Sequence, residues 1–412
     1  MSSLTKNKQY FKFSAYGFLK NLRFFDAFLL LFFLENGITY TQIGILYAAR
    51  EIITNVSEIP SGIIADTYGR KSSLIVAFLL YIISFLLFYV TSEFYVLLIA
   101  MLLFGVGEAF RSGTHKGMIM DYLRLNNWED QKVDYYGHTR SWSQKGSAVS
   151  ALFAGLLVLY SGSYRIIFLV SVLPYIINFF NIYSYPKELN HSLRPSKNND
   201  QKRVVFTFRS FVSVLKKPKV LQIINSAALH TAFLKAIKDY IQPILVSVAL
   251  LTPVLLTIDA KRKTGLIIGI IYFFIFLLTS YASRIAFRVS KLNVKNLPLV
   301  TLFLGFIAGV ICGILYIYEL WILSLVAFVL VFVLENLRKP LLTGEIADAV
   351  PNEILTSVIS AQSFYRTVLT ATLALLLGIF ADLLGIGKSL LIVSSFLVLI
   401  TLIIGIIGNA RN

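Results

Sequence analysis

The sequence predicts an all-α membrane protein of twelve transmembrane helices, arranged as two pseudo-symmetric six-helix bundles. Three observations carry this. Apolar runs of about 20 residues recur along the chain, the length that crosses a ~30 Å hydrocarbon core. Charged side chains return on every third run. The two halves of the chain also match one another at spaced polar positions.

Of the 412 residues, 57% are hydrophobic and 14% are charged, whereas a soluble domain carries about 25% charged residues. The runs fall at 14–34, 41–65, 72–91, 95–123, 138–160 and 164–184, then 219–250, 263–288, 297–317, 321–347, 356–384 and 388–408. A polar stretch, 185–218, separates an N-terminal bundle (1–184) from a C-terminal one (219–412). An even number of spans puts both termini on one side. Lys6, Lys8 and Lys12 of the tail, the nine bases against two acids between Lys187 and Lys219, and Arg284, Arg288, Lys291 and Lys295 all fall on that side. This positive bias marks it as the cytoplasmic face of the plasma (inner) membrane. It also accounts for the net charge of +17 without nucleic acid, since no recognition motif accompanies the bases. Anionic lipid headgroups are their expected partner. Residues 1–13 read as a basic tail rather than a cleavable signal. The lone Cys312 rules out an intramolecular disulfide and a cysteine metal cluster.

Charge inside the runs is selective. The third, sixth, ninth and twelfth carry none within their apolar stretch. The first carries Lys20, Arg23 and Asp26, and the fourth Glu108, Arg111, His115 and Lys116. The seventh carries His230, Lys235, Lys238 and Asp239, and the tenth Glu335, Arg338, Lys339 and Glu345. An ion in hydrocarbon costs several kcal/mol unless it faces protein or water, so one helix of each triplet faces a hydrated interior and one faces lipid. The halves align as "EAFRSGTHKGMIMD" with "ENLRKPLLTGEIAD", pairing Glu108 with Glu335, Arg111 with Arg338, Gly117 with Gly344 and Asp121 with Asp348. "FLKNLR" aligns with "FLKAIK", pairing Lys20 with Lys235 and Arg23 with Lys238. Gly155, Gly162 and Arg165 fall against Gly378, Gly385 and Lys388. Such matches indicate parallel repeats related by an axis along the membrane normal.

In "SGIIADTYGRKSS", Gly62, Asp66, Gly69, Arg70 and Lys71 resemble the loop motif of the major facilitator superfamily, G-x-x-x-D-x-x-G-R-R/K, and lie between the second and third runs. The resemblance covers the whole chain and implies secondary transport by alternating access. It also implies that the loop is a gating latch which stabilises the outward-open state. In physical terms, Gly62 is expected to allow close helix packing, and Asp66 to meet a helix N-terminus or a base. Arg70 and Lys71 would anchor the loop at the cytoplasmic face. A purely topological role is the alternative. The second half keeps a degraded form, "SYASRIAFRVSK". The fifth run lacks the Gly-Pro motif of drug/proton antiporters.

Six of the interior bases, Lys20, Arg23, Arg111, Lys235, Lys238 and Arg338, outnumber Glu108 and Glu335. This surplus predicts a site for a small organic anion bearing carboxylate or phosphate, because guanidinium groups bind such oxygens bidentately. His115 and Lys116 join this substrate-binding set, having no counterpart in the second half. Arg23 with Lys238 resembles the paired bases that clasp phosphate in the superfamily's organophosphate exchangers. The same charges also fit an internal ion-pair network through i,i+3 neighbours such as Glu108–Arg111. Asp26, Glu108 and Glu335 are the candidates for proton coupling; exchange (antiport) is the other mode. Rival readings are proton-coupled efflux of amphipathic drugs, metal export, which the bases around His115 oppose, and a non-transporting receptor. No nucleophile–base constellation or nucleotide loop is present, so the chain is not expected to be an enzyme, to bind metal or to need a cofactor. A monomer is expected.

Overall fold

A computed structural model describes residues 6–190, 218–252, 259–290, 297–349 and 352–410. Residues 191–217 of the basic linker, and Lys291 and Lys295, lie outside the described residues, as do the side chains of Gly344, Glu345 and Asp348.

The described chain is helical, with no strand among the described residues. Among the described residues twelve spans follow in order. The first is Lys8–Leu19, a 3-10 turn Phe24–Ala27 and Leu29–Glu35; the second is Tyr40–Tyr68 and the third Arg70–Val90. The fourth is Phe94–Arg111 with Thr114–Leu125, the fifth Lys132–Ser161 and the sixth Ile166–Tyr183. The seventh is Pro218–Ile237, a 3-10 turn Lys238–Tyr240 and Ile241–Leu251. The eighth is Ala260–Ser290, the ninth Leu297–Ile317, the tenth Trp321–Ala349, the eleventh Asn352–Leu384 and the twelfth Ile386–Ala410. Eight of these are long and apolar enough to cross a membrane by length and composition alone. The first and seventh are interrupted, the second carries Arg50, Glu51 and Glu58 near its middle, and the first half of the fifth is polar.

The interruptions coincide with the charges. In the first span the backbone leaves the helix at Lys20–Arg23, where the Asn21 amide donates to the carbonyls of Gly17 (3.0 Å) and Ser143 (2.9 Å). Tyr175 donates its hydroxyl to the Lys20 carbonyl at 2.8 Å, and Asn178 reaches the Tyr16 carbonyl at 3.3 Å. Irregular backbone at membrane depth is tolerated only when protein satisfies it in this way. The fourth span breaks at Gly113, whose φ of +72° is open to glycine at little cost. The matching position in the tenth span is Pro340, whose φ is fixed near the helical value. That span runs unbroken from Trp321 to Ala349.

The third, sixth, ninth and twelfth spans, uncharged beyond their first residues, expose apolar side chains, among them Ile83, Leu86, Leu173, Phe180, Leu304, Ile311, Phe396 and Leu399. These are the lipid-facing members of the triplets. The repeat matches also hold in the backbone: Gly162 (φ +67°) and Gly385 (φ +84°) end the fifth and eleventh spans.

Packing divides the chain into two compact units. One comprises Met1–Phe32, Ala49–Asp200 and Leu255–Phe276, and the other Phe33–Ala48, Gln201–Val254 and Leu277–Asn412. The core of the first unit is aromatic, with Phe25, Phe32 and Phe88 around Phe168 at ring separations of 5.4, 4.6 and 4.9 Å. In the second unit Asp382 accepts hydrogen bonds from the backbone N–H groups of Tyr40 (2.9 Å) and Thr41 (2.7 Å), capping the second span. There too Cys312, 1% exposed, lies against the Ser324 hydroxyl, which donates to the Cys312 carbonyl at 3.1 Å.

Within the first unit the fifth and eighth spans cross at glycines. A Cβ on Gly155 would stand 2.9 Å from the Gly269 Cα and 3.0 Å from the Gly265 carbonyl oxygen. Gly155→Leu is therefore expected to lower stability by about 1–3 kcal/mol through overpacking, read as a lower midpoint of thermal unfolding in detergent. An unchanged midpoint would mean that this crossing is not tight.

Candidate functional site

The centre of the first unit is an ion-pair clamp assembled from four spans. Glu108 on the fourth span receives Arg23 of the first span at Oε1, as a very short contact, and Arg111 at Oε2 at 2.6 Å. Two tyrosines complete it. The Tyr81 hydroxyl donates to Glu108 Oε1 at 2.6 Å and accepts from Arg111 Nε at 3.0 Å. The Tyr175 hydroxyl accepts from Arg23 Nε at 2.9 Å. Arg23 also lies over the ring of Phe104, 5.1 Å from its centroid. The i,i+3 pair expected from the sequence thus exists, but Glu108 serves two arginines.

Beside the clamp lies a cavity of about 420 Å³, large enough for a small organic molecule. Four residues singled out from the sequence line it: Lys20, Arg111, His115 and Lys116. The break at Gly113 shapes this wall. Glu108 and Arg111 do not share one helix with His115 and Lys116, as a continuous fourth helix would have it, because the latter pair belongs to a second helix starting at Thr114. His115 stacks on Tyr16, with centroids 3.6 Å apart and planes 8° from parallel, and its Nε2 lies 3.2 Å from the Tyr185 hydroxyl. Lys20 lies over the Tyr16 ring at 5.8 Å and Lys116 over the Tyr136 ring at 5.2 Å.

The fifth span contributes Tyr136, Thr139, Arg140, Ser143 and Gln144 to the lining, and none of these stood out in the sequence. Their spacing is the signal: 136, 139–140 and 143–144 recur at helical intervals on a span of low hydrophobicity. Among the described residues no Asp or Glu lines the cavity, so its ionic character is cationic.

Other predicted residues take different places. Arg23 is bound in the clamp, and it lines, with Asp26 and Ser147, a separate narrow recess. In the second unit, Lys238 lies 3.7 Å from Asp239. Lys235 lies in the last turn of the helix Pro218–Ile237. Arg338, expected at a substrate surface, is 1% exposed. Its guanidinium donates to the carbonyls of Pro298 and Ser226 and to the Thr301 hydroxyl (2.6 Å), tying together the seventh, ninth and tenth spans. It is a framework residue because its donors are aimed at protein. Glu335 is met by His230 Nδ1 at 2.8 Å and by the Thr231 hydroxyl at 2.6 Å.

The loop motif also departs from expectation. Asp66 is exposed, and a Cβ on Gly62 would meet nothing within 4 Å, so neither packs as foreseen. Arg70 instead forms a short ion pair with Asp121 of the fourth span, its guanidinium lying against Gly117. Gly69 (φ +99°) lets the Arg70 N–H donate to the Asn190 carbonyl at 2.6 Å. Lys71 and Lys12 donate to the carbonyls of Tyr185 (3.0 Å) and Ser184 (2.6 Å), at the end of the sixth span where ammonium groups complement the helix dipole.

Removing the clamp's carboxylate leaves two guanidinium groups facing each other. Glu108→Gln is expected to cost about 3 kcal/mol, the lower end for breaking a buried pair because these side chains keep some exposure. Adding Arg23→Gln should restore part of that loss. Thermal unfolding of the two variants checks this; a double variant no more stable than the single would count against the clamp.

Residues 18–372 match the family model described as Major Facilitator Superfamily. The hexuronate transporter of Bacillus subtilis (strain 168) is 29% identical over 129 residues, covering 30% of this chain and 29% of that protein. An uncharacterized MFS-type transporter, YxaM, of the same organism is 28% identical over 90 residues, covering 22% and 23%. The matched segments thus span less than a third of these relatives. Among solved structures, a mutant of the nucleoside transporter NupG superposes with a TM-score of 0.77 at 14% identity, covering 96% of this chain and 98% of that one. A POT family transporter in complex with 5-aminolevulinic acid gives 0.73 at 12% identity, covering 97% and 96%. At these identities the likeness is one of fold. The fold agrees with a family match along most of the sequence: the chain is a multi-pass membrane protein and belongs to the major facilitator superfamily.

Proposed function

We propose that this protein carries a small organic anion, bearing carboxylate or phosphate, across the plasma (inner) membrane by alternating access. It acts as a monomer with both termini in the cytoplasm. The observation that carries this is the 420 Å³ cavity, lined by Lys20, Arg111, Lys116 and Arg140 together with His115 and by no carboxylate. A cleft lined by charge of one sign attracts the opposite charge. Lys and Arg provide donors for anionic oxygens. Asn21, Thr139, Ser143 and Gln144 supply neutral hydrogen-bonding groups for a hydroxylated substrate. The similarity to a hexuronate transporter supports the same chemistry, since a hexuronate is a hydroxylated carboxylate. An acid-free lining disfavours the rival reading of cationic drug efflux. Among the described residues no cluster of His, Cys, Asp and Glu is arranged to hold a metal ion, and the bases around His115 repel cations.

A thermal-shift panel tests the reading directly, because a specific ligand stabilises the folded protein. Glucuronate, a hexose phosphate or a dicarboxylate should raise the unfolding midpoint, and tetraphenylphosphonium should not. Lys20→Gln, Lys116→Gln and Arg140→Gln should each weaken the stabilising anion by about tenfold, or about 1.4 kcal/mol. A wild-type shift with the cation alone, or three neutral variants binding anion as tightly as wild type, would overturn the anion site.

A further inference from the structure

The matched carboxylates of the two halves have opposite surroundings. Glu108 is clamped by Arg23, Arg111 and the Tyr81 hydroxyl, so a proton arriving there would have to break two ion pairs. Glu335, 4% exposed, lies against the imidazole of His230, which is 0% exposed. The arginine matched to Arg111, Arg338, donates to carbonyls of the seventh and ninth spans. In the first half the position matched to His230 is Ala15, and that matched to Thr231 is Tyr16. The second half has therefore put a titratable ring where the first half has a methyl group.

The local geometry is specific. His230 Nδ1 lies 2.8 Å from Glu335 Oε2, while the Thr231 hydroxyl holds Oε1 at 2.6 Å. The ring is packed near-parallel to Phe306, 5.8 Å between centroids. His230 Nε2 has no hydrogen-bond partner among the described residues and lies directly over Gly305, where a Cβ would overlap it. A buried ring nitrogen without a partner is costly to keep. A neutral imidazole donating Nδ1–H to a carboxylate and holding an open Nε2 lone pair is a proton acceptor with its counter-ion already in place.

We propose that His230 and Glu335 form a proton-binding pair that couples substrate movement to a proton gradient. Loading forms one N–H bond, between a proton delivered from water and His230 Nε2, and the imidazolium then faces the Glu335 carboxylate as an ion pair. Unloading breaks that same bond and returns the proton to water. The charge of the pair rises by one on loading and falls by one on release, and no other bond changes. The charged groups acting on it are Arg338 and Lys339 of the tenth span, whose positive charge favours the unloaded pair. The ninth span carries no charged residue, offering Thr301 to Arg338. The eleventh carries Tyr365, bonded to Asn225, and Arg366, bonded to Ser363. Ser394 of the twelfth lies at Gly309, one turn beyond Gly305.

The coupling part rests on the transport reading above; the proton site itself does not, and the two are tested separately. On purified protein, pH-difference infrared spectroscopy should show an imidazole-to-imidazolium change that is missing in His230→Asn and displaced in Glu335→Gln. His230→Asn keeps an amide donor for Glu335 without titrating. If the wild-type and His230→Asn spectra coincide, there is no proton site here. In proteoliposomes with labelled glucuronate, a proton gradient should drive accumulation by wild type. Both variants should lose that accumulation by about tenfold while keeping glucuronate counterflow within about twofold. Gly305→Ala, which leaves both titrating groups in place and displaces the ring, should likewise lose accumulation and keep counterflow. Gradient-driven accumulation at wild-type levels in Glu335→Gln overturns the coupling role, as does loss of counterflow together with accumulation in variants that stay monodisperse. Wild type that exchanges glucuronate but ignores the gradient overturns coupling and leaves the anion reading standing. Wild type that neither binds nor exchanges any anion sinks the anion reading, and the infrared comparison still decides the proton site.

Discussion

The clamp of Glu108 between Arg23 and Arg111 is the interaction on which the rest of the first unit depends. Three ions at membrane depth are tolerable only as a mutually satisfied group. Their arrangement fixes where the first and fourth spans come together. The broken backbone at Lys20–Arg23 follows, because Tyr175 both receives Arg23 and donates to the freed Lys20 carbonyl. With the helix opened there, Lys20 and Asn21 turn toward the fifth span, and the cavity forms between them and the short helix that starts at Thr114. The site is thus a by-product of neutralising a carboxylate.

The second unit solves the same problem with different parts. Its carboxylate is met by an imidazole and a threonine hydroxyl, and its arginine braces three spans through backbone carbonyls. Nothing in that core needs a second guanidinium, and the position matched to Arg23 is Lys238, next to Asp239. The matched ions keep their positions in the two halves, while their partners differ.

The plan of the molecule was legible because hydrophobic length and charge placement are properties of sequence. Spans, halves and the charged members of each triplet all follow from them. The repeat matches went further, since Gly162 and Gly385 end corresponding helices in the same left-handed conformation. What stayed hidden depends on tertiary partners. No proline marks the break in the first span; it is held by Tyr175 and Ser143, more than 100 residues away. Arg140 joins the cavity only when the fifth span is laid against the first. His230 and Glu335 are 105 residues apart, and only packing reveals their hydrogen bond. The loop motif misled in detail: its carboxylate, Asp66, faces outward, and Asp121 takes the arginine.

Cys312 has a practical consequence. It is the chain's single cysteine, 1% exposed and packed against Ser324. Burial holds a thiol in its unreactive protonated form and bars bulky reagents. The native chain is therefore a silent background for maleimide labelling. A cysteine introduced on the cavity wall, at Ser143 or Gln144, becomes the sole reactive thiol. A fluorophore or spin label placed there reports filling of the cavity in the otherwise unaltered protein.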